Sequence, residues 1–313
     1  MKEYEMKLLM LCREPRLYSC QRLAEAAKGF GIDLDILDPN RFHIKLAPSG
    51  TELHYQRGKH FDKKSVNEPI VCLDLMNEYQ GVLPRFGTLS TEMGCNVLRQ
   101  FELAGIVTLN SSAAFRLARD KWQSLQLLHA QGIPIPITVF SGDLFNNRDS
   151  VAQFSFPAVI KTLSGSQGVG VMLAENRSSG VSMLDTLRAA NIPTLLQQFI
   201  AESSGRDIRA FVIGDNVVAA MQRESSTGEF RANIHQGGQA KVLNLTKEDQ
   251  DLAVQATKAL GLDVAGVDLI ETHSGLQVLE VNASPGLEMI ESVSQIDIAN
   301  LIIRHLLQKI EEN

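Results

Sequence analysis

The stretch VAGVDLIETHSGLQVLEVNASPGLE, residues 264–288, constrains the fold of this chain more than any other. Two alternating runs, VAGVDLIE and LQVLEVN, flank the four-residue turn Thr272-His273-Ser274-Gly275, the pattern of an antiparallel hairpin. With the register symmetric about Ser274, Asp268 stands directly across from Glu280. Gly266 and Asn282 share their face, because strand side chains alternate. The other face carries Ala265, Val267, Leu269, Leu279 and Val281 and is apolar. Cross-strand Cβ atoms lie about 5 Å apart. Two ionised carboxylates there repel by about 3 kcal/mol at an effective dielectric of about 20, and by about 1 kcal/mol on a solvated face. A hard dication would offset the repulsion, and Asp, Glu and Asn oxygens without His or Cys are the donors that Mg²⁺ or Mn²⁺ prefers. A plain solvated hairpin is the bland alternative, and pattern alone leaves both open.

The chain around this hairpin changes character along its length. KLLMLC, YSCQRLAEAAKGFG and IDLDILDP read as strand, amphipathic helix and strand, a βαβ opening. REPRLYS stands where GxGxxG would follow the first strand, so dinucleotide binding is not supported. Residues 50–80 are polar and include RGKHFDKK, an insertion or hairpin, before GVLPRFG, a helix to about Leu103 and the short strand IVTLN. Helical periodicity then runs from Ser111 to Gln131, with Asp120 as an internal N-cap, and stops at Gly132-Ile133-Pro134. Beyond it lie short β-rich segments, a helix over 247–260 and the hairpin. The expected fold class is therefore α/β followed by α+β, with a Rossmann-like N-terminal region.

Composition excludes several classes of function. The 30 basic and 36 acidic residues of the 313 leave a net charge of -6, which argues against a general nucleic-acid binder. Cys12, Cys20, Cys72 and Cys95 form no CxxC pair, so neither a disulfide framework nor a zinc site is indicated, and reduced thiols in the cytoplasm are expected. LLMLC, bracketed by Lys7 and Arg13, is too short for a signal or membrane segment.

Two further stretches carry chemistry. AVIKTLSGSQGVGVMLAE joins two strands through Gly165, Gly168 and Gly170, with Lys161 at the end of the first. A glycine-rich hairpin of this kind can fold its N–H groups over phosphates, although a loose turn beside an ordinary surface lysine is the simpler alternative. In GRDIRAFVIGDNVVAAMQRESSTGEFRANIHQGG, Asp207 and Arg209 share one strand face, and Arg231, Asn233 and His235 share another. Arginines in mid-strand suggest anion contacts, with salt bridges to Asp207 or Glu229 as the bland account.

Taken together, Lys121, VIK with GSQGVG, LLQQFI, GRDIRAFV, FRAN, and VAGVDLIE followed by LEVNASPGLE resemble the ATP-grasp carboxylate–amine ligases, and most closely the RimK type, which adds glutamates to a small-subunit ribosomal protein. The resemblance covers nearly the whole chain, including LYSCQRLAEAA, PRFG and LRQFELAG. It implies a Rossmann-like pre-ATP-grasp domain over residues 1–110, a central lobe with the glycine lid over 111–195, and a C-terminal lobe with a metal site over 196–313. Lys121 and Lys161 would contact ATP phosphates under a lid formed by Ser164, Gly165, Gly168 and Gly170. Gln198 and Phe199 would line the adenine pocket, and Asp207 would bind ribose. Arg231, Ala232 and Asn233 would lie at the phosphates, with Arg231 and Lys161 as the catalytic cations. Asp268, Glu280 and Asn282 would hold two Mg²⁺ or Mn²⁺ ions. Gln197-Gln198-Phe199 departs from the usual Gln-Glu-Tyr, and the segment near residues 57–80 is longer than is usual for the family.

The expected reaction is ATP-dependent addition of L-glutamate, through an acyl-phosphate, to an acceptor carboxylate. That acceptor would be the C-terminus of a ribosomal small-subunit protein or a growing poly-α-glutamate. Arg13, Arg16, Arg22 and Arg85 are candidates for holding such acidic partners. A relative joining an amino acid to a small metabolite or carrier peptide is the alternative, and a non-catalytic nucleotide-binding regulator is a third reading. No nucleic acid or membrane partner is expected, and a homo-oligomer is left open.

Overall fold

A computed structural model of the chain describes residues 6–57, 70–73, 78–163, 169–225, 230 and 238–313. The chain runs β1 (Lys7–Leu11), α1 (Tyr18–Gly29), β2 (Asp33–Leu37), β3 (Phe42–Ala47), β4 (Gly50–Gln56), β5 (Ile70–Leu73), β6 (Gly81–Pro84), α2 (Thr91–Leu103), β7 (Val107–Thr108) and α3 (Ser112–Arg119). It continues with α4 (Lys121–Ala130), β8 (Thr138–Phe140), α5 (Asn147–Ala152), β9 (Ala158–Thr162), β10 (Val171–Ala174), α6 (Arg177–Ala189), β11 (Thr194–Gln198), β12 (Arg206–Ile213), β13 (Asn216–Glu224) and β14 (Gln239–Val242). The last elements are α7 (Lys247–Ala259), β15 (Val264–Thr272), β16 (Gly275–Asn282), α8 (Glu288–Ser294) and α9 (Ile298–Glu311). They cluster into two compact units, Met1–Arg116 with Gly261–Ala265 and Ala283–Asn313, and Leu117–Leu260 with Gly266–Asn282.

In the first unit the βαβ opening forms as the sequence predicts, with β1 pairing parallel to β2. The sheet order is β2-β1-β6-β7, so the chain steps to one side of β1 and then returns to its other side. Leu8, Leu9, Met10 and Leu11 are all buried, which is why β1 is a continuous apolar run rather than an alternating one. Helix α9 closes over this sheet. A Cβ on Gly81 would come within 2.8 Å of the Ile310 side-chain tip, so glycine there lets α9 pack close against β6. Of the expected insertion or hairpin over residues 50–80, β4 and β5 join β3 in an antiparallel sheet, order β3-β4-β5, while residues 58–69 and 74–77 lie outside the described residues.

Asn110 ties the distant segments of this unit together. Its backbone sits at φ 71°, a left-handed conformation that Asn tolerates better than most residues. Its side-chain oxygen accepts from the main-chain N–H of Asp263 (2.7 Å) and Val264 (2.9 Å), and its amide donates to the carbonyls of Val264 and Ala283 (both 2.8 Å). One side chain therefore binds the start of β15 and the residue that follows β16.

The second unit holds two antiparallel-rich sheets, ordered β10-β9-β11-β8 and β14-β13-β12-β15-β16. Ala158 and Ile160 of β9 bury against α5 and α6 in a cluster with Val151, Phe154, Ala174, Leu184 and Leu196. The alternation of β9 thereby sends Lys161 to the opposite face. Helix α6 lies in a region the sequence reading treats as β-rich. Its start signal is a capping box in which Asn176 accepts from Ser179 N–H (3.0 Å) and Ser179 Oγ receives the Asn176 N–H (3.2 Å). Asp120 caps α4 as expected, accepting from Trp122 and Gln123 N–H (both 2.9 Å).

Candidate active site

The hairpin places Asp268 opposite Glu280 and Gly266 opposite Asn282, the pairs the sequence predicts. The route to that register differs, because Thr272 pairs with Gly275 around a two-residue turn, one position out of phase with the predicted symmetry. A β-bulge between Asp268 and Leu269 restores the phase, with Leu269 opposite Val278 and Asp268 opposite Glu280, and Leu279 is the extra residue. The expectation that Leu279 lies on the apolar face is corrected: Val278 (0 % exposed) takes that place and Leu279 is only half-buried.

The carboxylate repulsion is offset differently from the sequence expectation. Asp268 receives Arg209 Nε and Nη2 at 2.7 Å each, a bidentate pair across neighbouring strands β12 and β15. Arg223 Nη2 reaches the same carboxylate at 2.9 Å. Two guanidinium groups therefore neutralise Asp268, and no dication is needed for the fold to hold it beside Glu280. They draw its pKa down to about 2 against the opposing effect of burial. Arg223 also holds Asp207 bidentately, at 2.6 and 2.7 Å, while burial pushes that carboxyl upward.

Arg223 is the residue that sequence reasoning missed. Asp207 and Arg223 are register partners in the β12–β13 hairpin, but a register shift between Phe211 and Val212 puts them one residue out of symmetry with the Gly214-Asp215 turn, as the bulge at Leu279 does for Asp268 and Glu280.

Two lysines face the same group of charges. Lys161, on β9, and Lys121, the first residue of α4, both have pKa values lowered by desolvation, and Glu280 is the largest opposing charge on each. Lys121 Nζ also donates to the Leu163 carbonyl at 3.5 Å. Lys121, Lys161, Arg209 and Arg223 thus meet Asp207, Asp268 and Glu280 with one positive charge in excess, an arrangement suited to a polyanion. Gly170 pairs with the strand that carries Lys161, its carbonyl accepting from Thr162 N–H at 2.9 Å. With φ at +78° and a Cβ position that would collide with the Thr162 hydroxyl, only glycine fits there.

Gln198 ends β11, exposed, with its N–H donated to the Ile137 carbonyl at 2.8 Å. Phe199 follows it and meets the Phe230 ring edge-on, centroids 6.4 Å apart. Gln197, by contrast, is buried and donates to Thr138 Oγ1 at 2.9 Å. Ser164, Gly165, Gly168, Arg231, Ala232, Asn233 and His235 lie outside the described residues.

The donors expected for a metal suit a hard cation, since Asp268, Glu280 and Asn282 offer oxygen only. Their availability differs. Asp268 has both oxygens engaged by guanidinium groups, whereas among the described residues Glu280 accepts a side-chain hydrogen bond only from the Asn282 amide, at 3.2 Å. Glu280 and Asn282 are the donors best placed to take a cation, with Asp268 held rigidly behind them.

Comparison with known proteins identifies the family. The family described as RimK-like ATP-grasp domain matches residues 118–306, and the RimK PreATP-grasp domain matches residues 6–115. A protein of Haemophilus ducreyi named "Probable alpha-L-glutamate ligase" is 58% identical, covering 96% of this chain and 99% of its own. One of Pasteurella multocida with the same name is 56% identical, covering 97% and 95%. Among solved structures, the ATP-grasp ligase PsnB, complexed with a phosphomimetic variant of its minimal precursor, Mg and ADP, superposes with a TM-score of 0.69 at 19% identity, covering 97% of this chain and 98% of its own. A RimK domain protein from Sphaerobacter thermophilus gives 0.68 at 20% identity, covering 96% and 99%. The fold is that of an ATP-grasp ligase, an enzyme that forms amide-type bonds at the expense of ATP. Within that class the chain belongs to the RimK family, with its pre-ATP-grasp domain followed by the ATP-grasp fold.

Proposed function

We propose that the protein adds L-glutamate to an acceptor carboxylate, using ATP to form an acyl-phosphate that the amine of glutamate attacks. The observation that carries this reading is identity of 58% and 56%, over nearly the full length, to proteins named as alpha-L-glutamate ligases. The site chemistry supports it. Joining a carboxylate to an amine in water is uphill, so the carboxylate must first be activated, and a cation-rich cleft is what a transferring phosphoryl group requires. Lys121 and Lys161 supply charge toward the phosphates. Arg209 and Arg223 fix Asp268 in one orientation. Gly170 fits closely against Thr162 at the start of β10. The roles of Ser164, Gly165 and Gly168 in a lid, of Gln198, Phe199 and Asp207 in holding the nucleoside, and of Arg231, Ala232 and Asn233 at the phosphates come from the family resemblance.

Two Mg²⁺ or Mn²⁺ ions at Glu280, Asn282 and Asp268 would screen phosphate charge when bound. The acceptor we infer is an acidic protein or peptide C-terminus, a ribosomal small-subunit protein or a growing poly-α-glutamate. Among the described residues no helix is long and apolar enough to cross a membrane, and we place the reaction in the cytoplasm. Phosphate release measured across the twenty amino acids, with and without an acidic acceptor, tests the reading. Stimulation by glutamate above all others supports it. Strict dependence on a different amine rejects it.

A further inference from the structure

Of the arginines that the sequence offers as partners for acidic substrates, the structure separates two clearly. Arg22 is spent: it pairs with Glu25 (2.7 Å), Glu291 (3.3 Å) and Asp297 (2.9 Å). Arg85 has no carboxylate partner among the described residues. Its Nη2 donates to the Pro285 carbonyl at 2.8 Å, and its Nε is buried with no hydrogen-bond acceptor. Beside it lie the thiols of Cys12 and Cys20, whose Sγ atoms are 3.1 Å apart, with Cys20 within hydrogen-bonding reach of the guanidinium. Glu14 turns its main-chain N–H toward Cys12 Sγ (3.2 Å) and forms no ion pair with Arg85. A half-buried guanidinium whose Nε lacks an acceptor and which has no carboxylate beside it is costly unless an anion completes it.

The place of Arg85 in the fold points the same way. It follows β6 directly, and its N–H bonds the Leu11 carbonyl at the end of β1 (2.9 Å). In the order β2-β1-β6-β7 the strand order reverses at β1 and β6, which run parallel, so this is the switch point at whose strand carboxyl ends open parallel sheets bind ligands. Helix α1 begins at the same end of β1, with Leu17 at its N-cap and no side chain capping it. Its first-turn residue Ser19 and Arg85 both hold the 285–287 segment, Ser19 Oγ accepting from Leu287 N–H at 2.9 Å. A cation, an uncapped helix start and a switch-point crevice converge.

We propose that Arg85 binds a substrate carboxylate in this crevice, either the carboxylate of glutamate or the terminal carboxylate of the acceptor. The proposal rests on the ligase reading for the identity of the anion. The test is equilibrium binding of L-glutamate and of a tri-α-glutamate peptide, each as free acid and α-amide, to the wild-type chain, Arg85→Gln and Arg85→Lys, with a non-hydrolysable ATP analogue present. Loss of a charge-assisted, bidentate contact weakens one of the two ligands by about tenfold to a hundredfold in Arg85→Gln. Arg85→Lys recovers part of the loss, and α-amidation of that same ligand reproduces it in the wild type.

Amides that bind the wild type as tightly as the free acids overturn the proposal, whether or not Arg85→Gln folds. So does a variant with wild-type melting behaviour and unchanged affinity for both ligands. Wild-type protein that binds the free acids in an Arg85-dependent way, yet releases no phosphate with glutamate, would overturn the ligase reading and leave the carboxylate site standing.

Discussion

Asp268→Asn separates the structural role of this carboxylate from its role toward substrate. Asp268 is 5% exposed and accepts from Arg209 Nε, Arg209 Nη2 and Arg223 Nη2 at 2.7, 2.7 and 2.9 Å. Asparagine keeps the shape but removes the charge and turns an NH₂ group toward guanidinium donors. Arg223 retains Asp207, whereas Arg209 loses its carboxylate. Breaking a buried pair from one side costs about 3 to 5 kcal/mol, and equilibrium urea unfolding without nucleotide or metal measures it. The pH dependence carries a sign. Asp268 titrates near 2 in the folded state against 3.8 unperturbed, so its contribution is present at neutral pH and lost as the pH falls from 3.8 through about 2. Asp207 is raised, so its opposite contribution lies above 3.8, and the difference between wild type and Asp268→Asn below that pH reports on Asp268. The double change Asp268→Leu with Arg209→Met should recover much of the loss, because no unpaired buried charge remains. A cost for Asp268→Asn below about 1 kcal/mol, the value of an exposed ion pair, would refute the reasoning.

Other perturbations test neighbouring parts of the account. Glu280→Gln should raise the metal concentration needed for activity with little change in unfolding free energy, because among the described residues only the Asn282 amide donates a side-chain hydrogen bond to Glu280. Desolvation lowers the Lys161 pKa, so the rate should fall as the pH rises, and at a lower pH than an ordinary lysine would dictate; in Lys161→Arg that alkaline limb should vanish whatever the residual rate. Gly170→Ala should destabilise by more than about 1 kcal/mol in urea unfolding, since φ is +78° and the methyl meets Thr162. Asn110→Ala removes four hydrogen bonds from a buried side chain and should cost about 2 to 4 kcal/mol by the same assay.

What the sequence revealed of the fold follows from how local each signal is. The βαβ opening and the Asp120 cap depend on residues close in the chain and are legible from periodicity and turn chemistry, whereas the Asp268–Glu280 pairing follows from a two-residue turn and a bulge rather than from the turn the pattern suggests. Helix α6 was legible in principle through Asn176 and Ser179, but its mixed composition hides among short strands. The β-bulge at Leu279 was invisible, because one extra residue leaves the alternation on either side intact. The partners of Asp268 were also beyond reach: Arg209 lies 59 positions away, on a strand that becomes its neighbour only through sheet order. The same non-local pairing turned an argument for a dication into one for two arginines. Arg85 was legible as a cation, but its want of a carboxylate partner is a property of packing that no pattern in one sequence displays.

The central claim is glutamylation of a carboxylate at the expense of ATP, and mass spectrometry of the acceptor tests it most directly. An acidic C-terminal peptide incubated with the protein, ATP, Mg²⁺ and L-glutamate should gain whole glutamyl residues, each matched by one ADP released. ADP formed without any mass gain on peptide or free glutamate, or a gain corresponding to another amino acid, would contradict the account.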